Sequence, residues 1–170
     1  MEADLQSALR AVQQSEASMF DYQLEHILSY KVTVTMPEFI GPVAEGLRLN
    51  FGFTGGEVTG PKVVGKVRKG GGDWLTVRRD GICILDVRAT METHDGALIY
   101  VTLDGIADFG EDGYEKVLQG EPPSSVPLRT SPRFHTIHPQ YVWLTRLHCF
   151  GVGQAYLQGF AVAYDVYAVR

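Results

Sequence analysis

Asp86 and Arg88 are the two side chains whose types and spacing best suit acid–base chemistry. They stand two residues apart in the segment Ile82–Glu92, so an extended backbone places both on one face. There the carboxylate and the guanidinium would hold each other ionised, and the guanidinium could also bind a phenolate or a carboxylate of a ligand. If a ligand displaced that partnership, Asp86 would become a candidate general acid or base.

The opposite face of the same segment is entirely apolar, which leaves two orientations open. If the apolar face lies inside, Asp86 and Arg88 form a solvated ion pair of small energetic value, and the rarity of buried charges favours this orientation. If the charged face lies inside, the pair lines a cavity, and a second copy of the chain is the simplest cover for the apolar face. That face consists of Cys83, Leu85, Val87, Ala89 and Met91.

Four further residues could contact a ligand. Asp73 and Trp74 follow three glycines and are either a turn aspartate with a core tryptophan or two side chains that a bent backbone brings to the mouth of a barrel. Tyr100 could donate to a ligand oxygen or complete a hydrogen bond in the core. Trp143 could form a cavity wall or pack in the core.

The histidine and glycine spacings do not indicate a metal or a phosphate-bearing cofactor. His135 and His138 are three residues apart, which sends their side chains to opposite faces of a strand. The run from Gly70 to Gly72 is not followed by the helix that a phosphate cradle requires. We therefore expect neither a metal site nor a cofactor.

The periodicity of the chain predicts mostly strands. From Leu24 to Met36 apolar side chains alternate with polar ones, which predicts a long strand that ends at Pro37. Asp80-Gly81 and Asp95-Gly96 are hairpin signals on either side of Ile82–Glu92. Further strands are predicted at Trp74–Arg79, Ala97–Asp104, Leu128–Ile137, Tyr141–Phe150 and Gln154–Val169.

Two short helices complete the secondary structure. The helical spacing of Leu5, Ala8, Leu9 and Val12 predicts an N-terminal helix within residues 1–19, and residues 111–119 form two turns ended by Gly120. We therefore predict an all-β fold over residues 20–170, an antiparallel barrel of about eight to ten strands. A barrel is favoured over a sandwich because its closure leaves no long exposed edge.

The order of short motifs resembles the domain-of-unknown-function 3237 family over residues 25–169. The resemblance rests on Gly71-Gly72-Asp73-Trp74, Asp80-Gly81, Leu85-Asp86-Val87-Arg88, Thr93-His94-Asp95-Gly96, Arg129-Thr130, Pro132-Arg133-Phe134, Tyr141-Val142-Trp143-Leu144, Gly151-Val152-Gly153 and Tyr164-Asp165-Val166-Tyr167.

The resemblance implies a compact, often oligomeric β-barrel. Some fungal members are similar in role to cyclases that join a phenol to a neighbouring prenyl alkene as a cyclic ether, without a redox cofactor. Because an Asp-x-Arg pair is a recurring family feature, the resemblance favours the inward orientation of Asp86 and Arg88. His135 stands where relatives commonly have a glutamate, and an imidazole can also move protons near neutral pH.

Composition limits the partners and the compartment. The chain has 170 residues with 15 Lys+Arg against 20 Asp+Glu, a formal net charge of −5, and no basic run long enough to follow a nucleic-acid backbone. Its apolar stretches are shorter than a membrane span, and the first 19 residues do not have the pattern of a secretory signal. We expect a cytoplasmic protein in which Cys83 and Cys149 are reduced.

Together with the resemblance, which implies an intramolecular hydroalkoxylation, these observations favour a cofactor-free cyclase or isomerase that acts inside the barrel. A barrel that only binds a small aromatic or apolar molecule, and a solidly packed interaction module, are the alternatives. We expect Asp86, Arg88 and Tyr100 to face the interior and the protein to be a homodimer. The predicted catalytic residues are Asp86, Arg88 and His135, and the predicted substrate-binding residues are Asp73, Trp74, Tyr100, Arg129 and Trp143.

Overall fold

The structure, a computed structural model, describes residues 20–170. The predicted helix of residues 1–19 lies outside the described residues. The strands are β1 (Leu24–Val34), β2 (Glu38–Val43), β3 (Gly46–Thr59), β4 (Gly65–Val67), β5 (Gly72–Val77), β6 (Ile82–Thr93), β7 (Leu98–Asp108), β8 (Ser125–His135), β9 (Cys149–Tyr156) and β10 (Ala161–Val169). Helix α1 (Gly113–Leu118) and a 3₁₀ helix (Val142–Arg146) complete the secondary structure of the described part.

The strands close into an antiparallel barrel, as predicted. Neighbouring strands follow the order β1, β10, β9, β8, β7, β6, and β5 then connects β6 to β3, which pairs back onto β1. These eight strands form the ring. The two additional strands are β4, which also joins β3 to β6, and β2, which pairs with β3. Closure leaves no free edge in the ring.

The apolar face of each strand determines which side lies inside. In β6 the buried residues alternate from Cys83 to Met91, and in β7 they alternate from Ile99 to Leu103. Since a strand sends successive side chains to opposite sides, the residues between them lie on the outer wall. The interior is therefore built from the aliphatic faces of the strands.

The two predicted Asp-Gly hairpin turns flank β6 in the structure. Gly81 has a φ of 82° and Gly96 a φ of 87°, a backbone region that glycine adopts without a steric penalty. At Gly81 a β-carbon would also lie 1.7 Å from the carbonyl oxygen of Gly110. The turn before β6 therefore requires glycine for two independent reasons.

Two predicted strands have different structures. The segment Tyr141–Phe150 was predicted to be a single strand, which is wrong because residues 142–146 form the 3₁₀ helix. Tyr141 and Leu144 are the buried residues, and their spacing of three fits one face of such a helix. The predicted strand Gln154–Val169 is interrupted by a turn at residues 157–160, so it contributes to both β9 and β10.

Helix α1 lies within the predicted segment 111–119, and both cysteines are free and buried, as expected. In the described residues, no helix has the combination of length and hydrophobicity that a bilayer span needs.

Candidate functional site in the barrel cavity

Asp86 and Arg88 lie on the outer wall, so the predicted inward orientation of this pair is wrong. The Arg88 Nη1 atom lies 2.6 Å from Asp86 Oδ1, and the Asp86 and Arg88 side chains are 45% and 48% exposed. The physical reason is that the apolar face of β6 fills the interior, whereas bringing two charges inside would cost desolvation free energy. Leu85, Val87 and Met91 therefore need no second subunit to cover them.

Tyr100 and His135 also lie outside the cavity. They are cross-strand partners in β7 and β8, and their ring centroids are 5.7 Å apart. Tyr100 is 43% exposed, so its predicted inward orientation is wrong. Both residues occupy the alternate positions of their strands that face away from the buried side chains.

The three other predicted binding residues make contacts away from the barrel cavity. The Trp74 ring lies 5.6 Å from the Arg88 guanidinium, and Arg129 donates to the backbone oxygen of Leu128 at 2.8 Å. Trp143 lies in the 3₁₀ helix and donates from Nε1 to the Gln140 oxygen at 2.9 Å. None of the three lines the barrel cavity.

The barrel encloses a cavity of about 80 Å³. Its walls are aliphatic and aromatic side chains from most strands of the ring. Among the described lining residues, four side chains carry a polar atom, namely Asp73, Tyr30, Tyr156 and Tyr164. Of the eight predicted site residues, Asp73 is the one that the structure places on the cavity wall.

Asp73 faces inward because of the tight entry into β5. Gly71 has a φ of 81°, and a β-carbon there would lie 2.3 Å from the backbone oxygen of Arg88. The glycines thus let the chain approach β6 closely before the strand begins. The strand alternation then sends Asp73 and Leu75 to the cavity, and it sends Trp74 outward.

The carboxyl of Asp73 interacts with the backbone of the barrel wall. Pairing between β5 and β6 stops at Asp73 and Val87 and resumes at Thr76 and Ile84. Within this interruption the backbone N–H of Asp86 donates to Asp73 Oδ1 at 3.0 Å. The Arg48 side chain donates to the backbone oxygen of Trp74 at 2.7 Å. The hydrogen bond from Asp86 holds the carboxyl at the interruption, which we call the ladder gap.

The environment of Asp73 brings its pKa to about 7. Burial is the main cause, since removing the charged form from water disfavours it. The backbone hydrogen bond from Asp86 lowers the pKa, the charge of the Asp86 carboxylate raises it, and Arg48 lowers it. Near neutral pH, Asp73 therefore has comparable populations of acid and base, which is the condition that general acid–base catalysis favours.

Tyr30 and Tyr164 line the cavity beside Asp73. They pair across β1 and β10, with ring centroids 5.0 Å apart. Burial raises the pKa of both phenols, and the charge of Asp73 raises both further. Since both phenols stay protonated, each can donate a hydrogen bond to a ligand oxygen.

A glycine in β9 makes room for the Tyr164 ring. Gly153 is the cross-strand partner of Tyr164, and a β-carbon at Gly153 would lie 2.4 Å from Tyr164 Cδ1. Neither tyrosine was among the predicted site residues. Two sequence features could have pointed to them: the position of Tyr30 on the apolar face of the first strand, and the Gly151-Val152-Gly153 motif.

The fold and the cavity define a class: a closed antiparallel β-barrel that places one carboxyl and several phenols in a small apolar cavity. The family model described as "Protein of unknown function (DUF3237)" matches residues 22–169. The chain belongs to this family.

Curated relatives and solved structures agree with the family. A UPF0311 protein of Rhodopseudomonas palustris (strain TIE-1) is 37% identical over 131 residues, which cover 76% of this chain and 84% of the relative. A protein of unknown function from Clostridium acetobutylicum ATCC 824 superposes with a TM-score of 0.79 at 30% identity, covering 88% of this chain and 100% of that one.

A more distant neighbour is a crystal structure described as an enzyme from Penicillium herquei. Its TM-score is 0.66 at 20% identity, and the match covers 92% of this chain and 100% of that chain. This likeness shows the shared fold.

Proposed function

We propose that the barrel is an acid–base enzyme that isomerises a small, mainly apolar molecule, with Asp73 transferring the proton. The observation that supports this most directly is a carboxyl with a pKa of about 7 on the wall of an apolar cavity. A carboxylic acid that is partly neutral at physiological pH can donate a proton, and its conjugate base can recover one. The surrounding aliphatic walls would exclude water from the transfer.

The specific reaction we propose is the intramolecular addition of a hydroxyl group to an alkene. Protonated Asp73 would give its proton to one alkene carbon, and the substrate hydroxyl oxygen would form a bond to the other. The oxygen would then lose its proton to the Asp73 carboxylate, so substrate and product are isomers and the acid is regenerated. Tyr30 and Tyr164 would orient the substrate oxygen through hydrogen bonds.

The size of the cavity restricts the substrate. An apolar cavity of about 150 Å³ accommodates benzene, whereas the cavity here measures about 80 Å³. The substrate is therefore compact, and even a single aromatic ring needs the cavity to widen.

Incubation with 2-prenylphenol in D₂O tests this proposal. We expect an isomeric cyclic ether that carries one deuterium on carbon, because the Asp73 proton exchanges with solvent before it is transferred. Mass spectrometry and NMR detect this product. Asp73→Asn should abolish the product. The matched control is Asp104→Asn, which removes an exposed carboxylate of β7.

Two outcomes would contradict the proposal. Equal turnover by Asp73→Asn and the unaltered protein would remove Asp73 from the chemistry. Saturable binding of 2-prenylphenol with no deuterated product would instead support a barrel that binds its ligand without changing it.

A further inference from the structure

The cavity opens at the turn between β9 and β10. The lining residues with substantial exposure are Tyr156, at 49%, and Phe160, at 36%. Tyr156 is the last residue of β9, and Phe160 directly precedes β10. Leu157, from the same turn, also lines the cavity. The cavity wall is therefore most exposed to solvent at this turn, residues 157–160, which we call the mouth.

Phe160 has an unusual backbone conformation at this mouth. Its φ is 48°, and within residues 20–170 it is the one non-glycine residue with a positive φ. A bulky side chain rarely occupies this region, and such a conformation persists when its surroundings hold it in place. Gly159, which could adopt a positive φ freely, stands one position earlier.

Hydrogen bonds on both sides hold the turn. The backbone N–H of Val34 donates to the Phe160 oxygen at 2.8 Å, and the N–H of Leu157 donates to the Ser124 oxygen at 2.9 Å. Within the turn, the N–H of Gly159 donates to the Tyr156 oxygen at 3.1 Å. Phe160 is thus held with its side chain against the cavity.

We propose that Phe160 determines the largest ligand that the barrel accepts. With the phenyl group in place, compact single-ring molecules fit better than fused-ring ones; without it, the mouth widens by about the size of an aromatic ring. The proposal deepens the proposed function, since it concerns the same cavity, but it predicts binding rather than turnover. It assigns a size limit to a residue that takes no part in proton transfer.

The experiment compares the affinities of phenol and 1-naphthol by calorimetry or ligand-observed NMR. In Phe160→Ala we expect the affinity for 1-naphthol to rise at least tenfold, while that for phenol changes less than threefold. Phe160→Gly should give the same widening and a higher Tm than Phe160→Ala, since glycine adopts the positive φ without strain. The matched control is Phe39→Ala, which removes an exposed phenyl group from β2, outside the ring.

The outcomes separate the two proposals. If phenol binds but Phe160→Ala leaves the ratio of the two affinities unchanged, Phe160 does not limit ligand size, and the acid–base function is unaffected. If the ratio changes as expected while Asp73→Asn still forms deuterated product, the size limit stands and the proposed role of Asp73 falls. If neither ligand binds to any folded variant, the size-limit proposal is overturned.

Discussion

At the scale of single residues, one carboxyl accounts for most of the acid–base reactivity expected of the cavity. Asp73 interacts with a backbone N–H, with the charges of Asp86 and Arg48, and with two tyrosines through its own charge. Burial dominates this set, because it raises the pKa from 3.8 to about 7 despite the hydrogen bond that favours the carboxylate. The same burial makes the ionised form costly for the fold.

That cost gives a pH dependence of stability with a definite sign. The folded pKa of Asp73 lies above the unfolded one, so the folded state binds more protons between about pH 4 and pH 7 and its free energy of unfolding falls as pH rises through this window. This increase in the pKa of Asp73 corresponds to at most about 4 kcal/mol in the free energy of unfolding. Asp73→Asn should therefore stabilise the protein at pH 8 and have much less effect at pH 4.

Urea unfolding of both proteins at the two pH values measures this difference. The comparison needs no ligand, so it tests the environment of Asp73 independently of any activity. An equal effect of Asp73→Asn at pH 4 and pH 8 would show that the carboxyl does not titrate in this window.

At the scale of the elements, β6 shows what alternation can and cannot determine. The alternating pattern correctly predicts two faces, and the hairpin signals correctly predict its neighbours. Alternation alone does not say which face is inside; the rarity of buried charges favoured the outside for Asp86 and Arg88, and the structure agrees with that argument. The resemblance favoured the inside, and that orientation is wrong.

The outer position of this pair predicts small mutational effects. Asp86→Asn should lower the free energy of unfolding by less than about 1 kcal/mol and Arg88→Met by less than about 2 kcal/mol, because an exposed ion pair contributes up to about 1 kcal/mol. Arg88→Met also loses the contact with the Trp74 ring, worth about 0.5–1 kcal/mol at an exposed site. Chemical denaturation measures both values, and a loss of 3 kcal/mol or more would be inconsistent with an exposed pair.

Asp73 and the tyrosines differ in how far sequence could identify them. The run of three glycines that precedes Asp73 predicted a bend there, but two interpretations of Asp73-Trp74 remained open. In the structure, strand alternation sends Asp73 to the cavity and Trp74 outward. Tyr30 and Tyr164 lie 134 positions apart in sequence, and the pairing of β1 with β10 that brings them together depends on closure of the whole ring. No local pattern contains that information.

At the scale of the whole molecule, the barrel could be predicted from the sequence. The chain contains many strands, and an open sheet of them would leave a long exposed edge that closure removes. The dimer expectation rested on an apolar face that needed a cover, and that face lies in the interior. What remains outside is a scatter of apolar residues, such as Ile84 and Ile106, which are cross-strand partners on β6 and β7. The apolar face of β6 therefore does not support a dimer, and the homodimer stays a prediction.

The ladder gap gives the barrel an internal reporter. Because the Asp86 N–H donates to a carboxyl whose pKa is about 7, its hydrogen bond strengthens when Asp73 ionises. The ¹H–¹⁵N resonance of Asp86 should consequently move with a midpoint near pH 7, whereas the amide of Asp104, which faces Ser131 in the uninterrupted β7–β8 ladder, should not. A flat titration at Asp86 would contradict the assigned ionisation of Asp73. An amide in the barrel wall thus transmits the protonation state of the cavity to a signal that can be followed before any substrate is known.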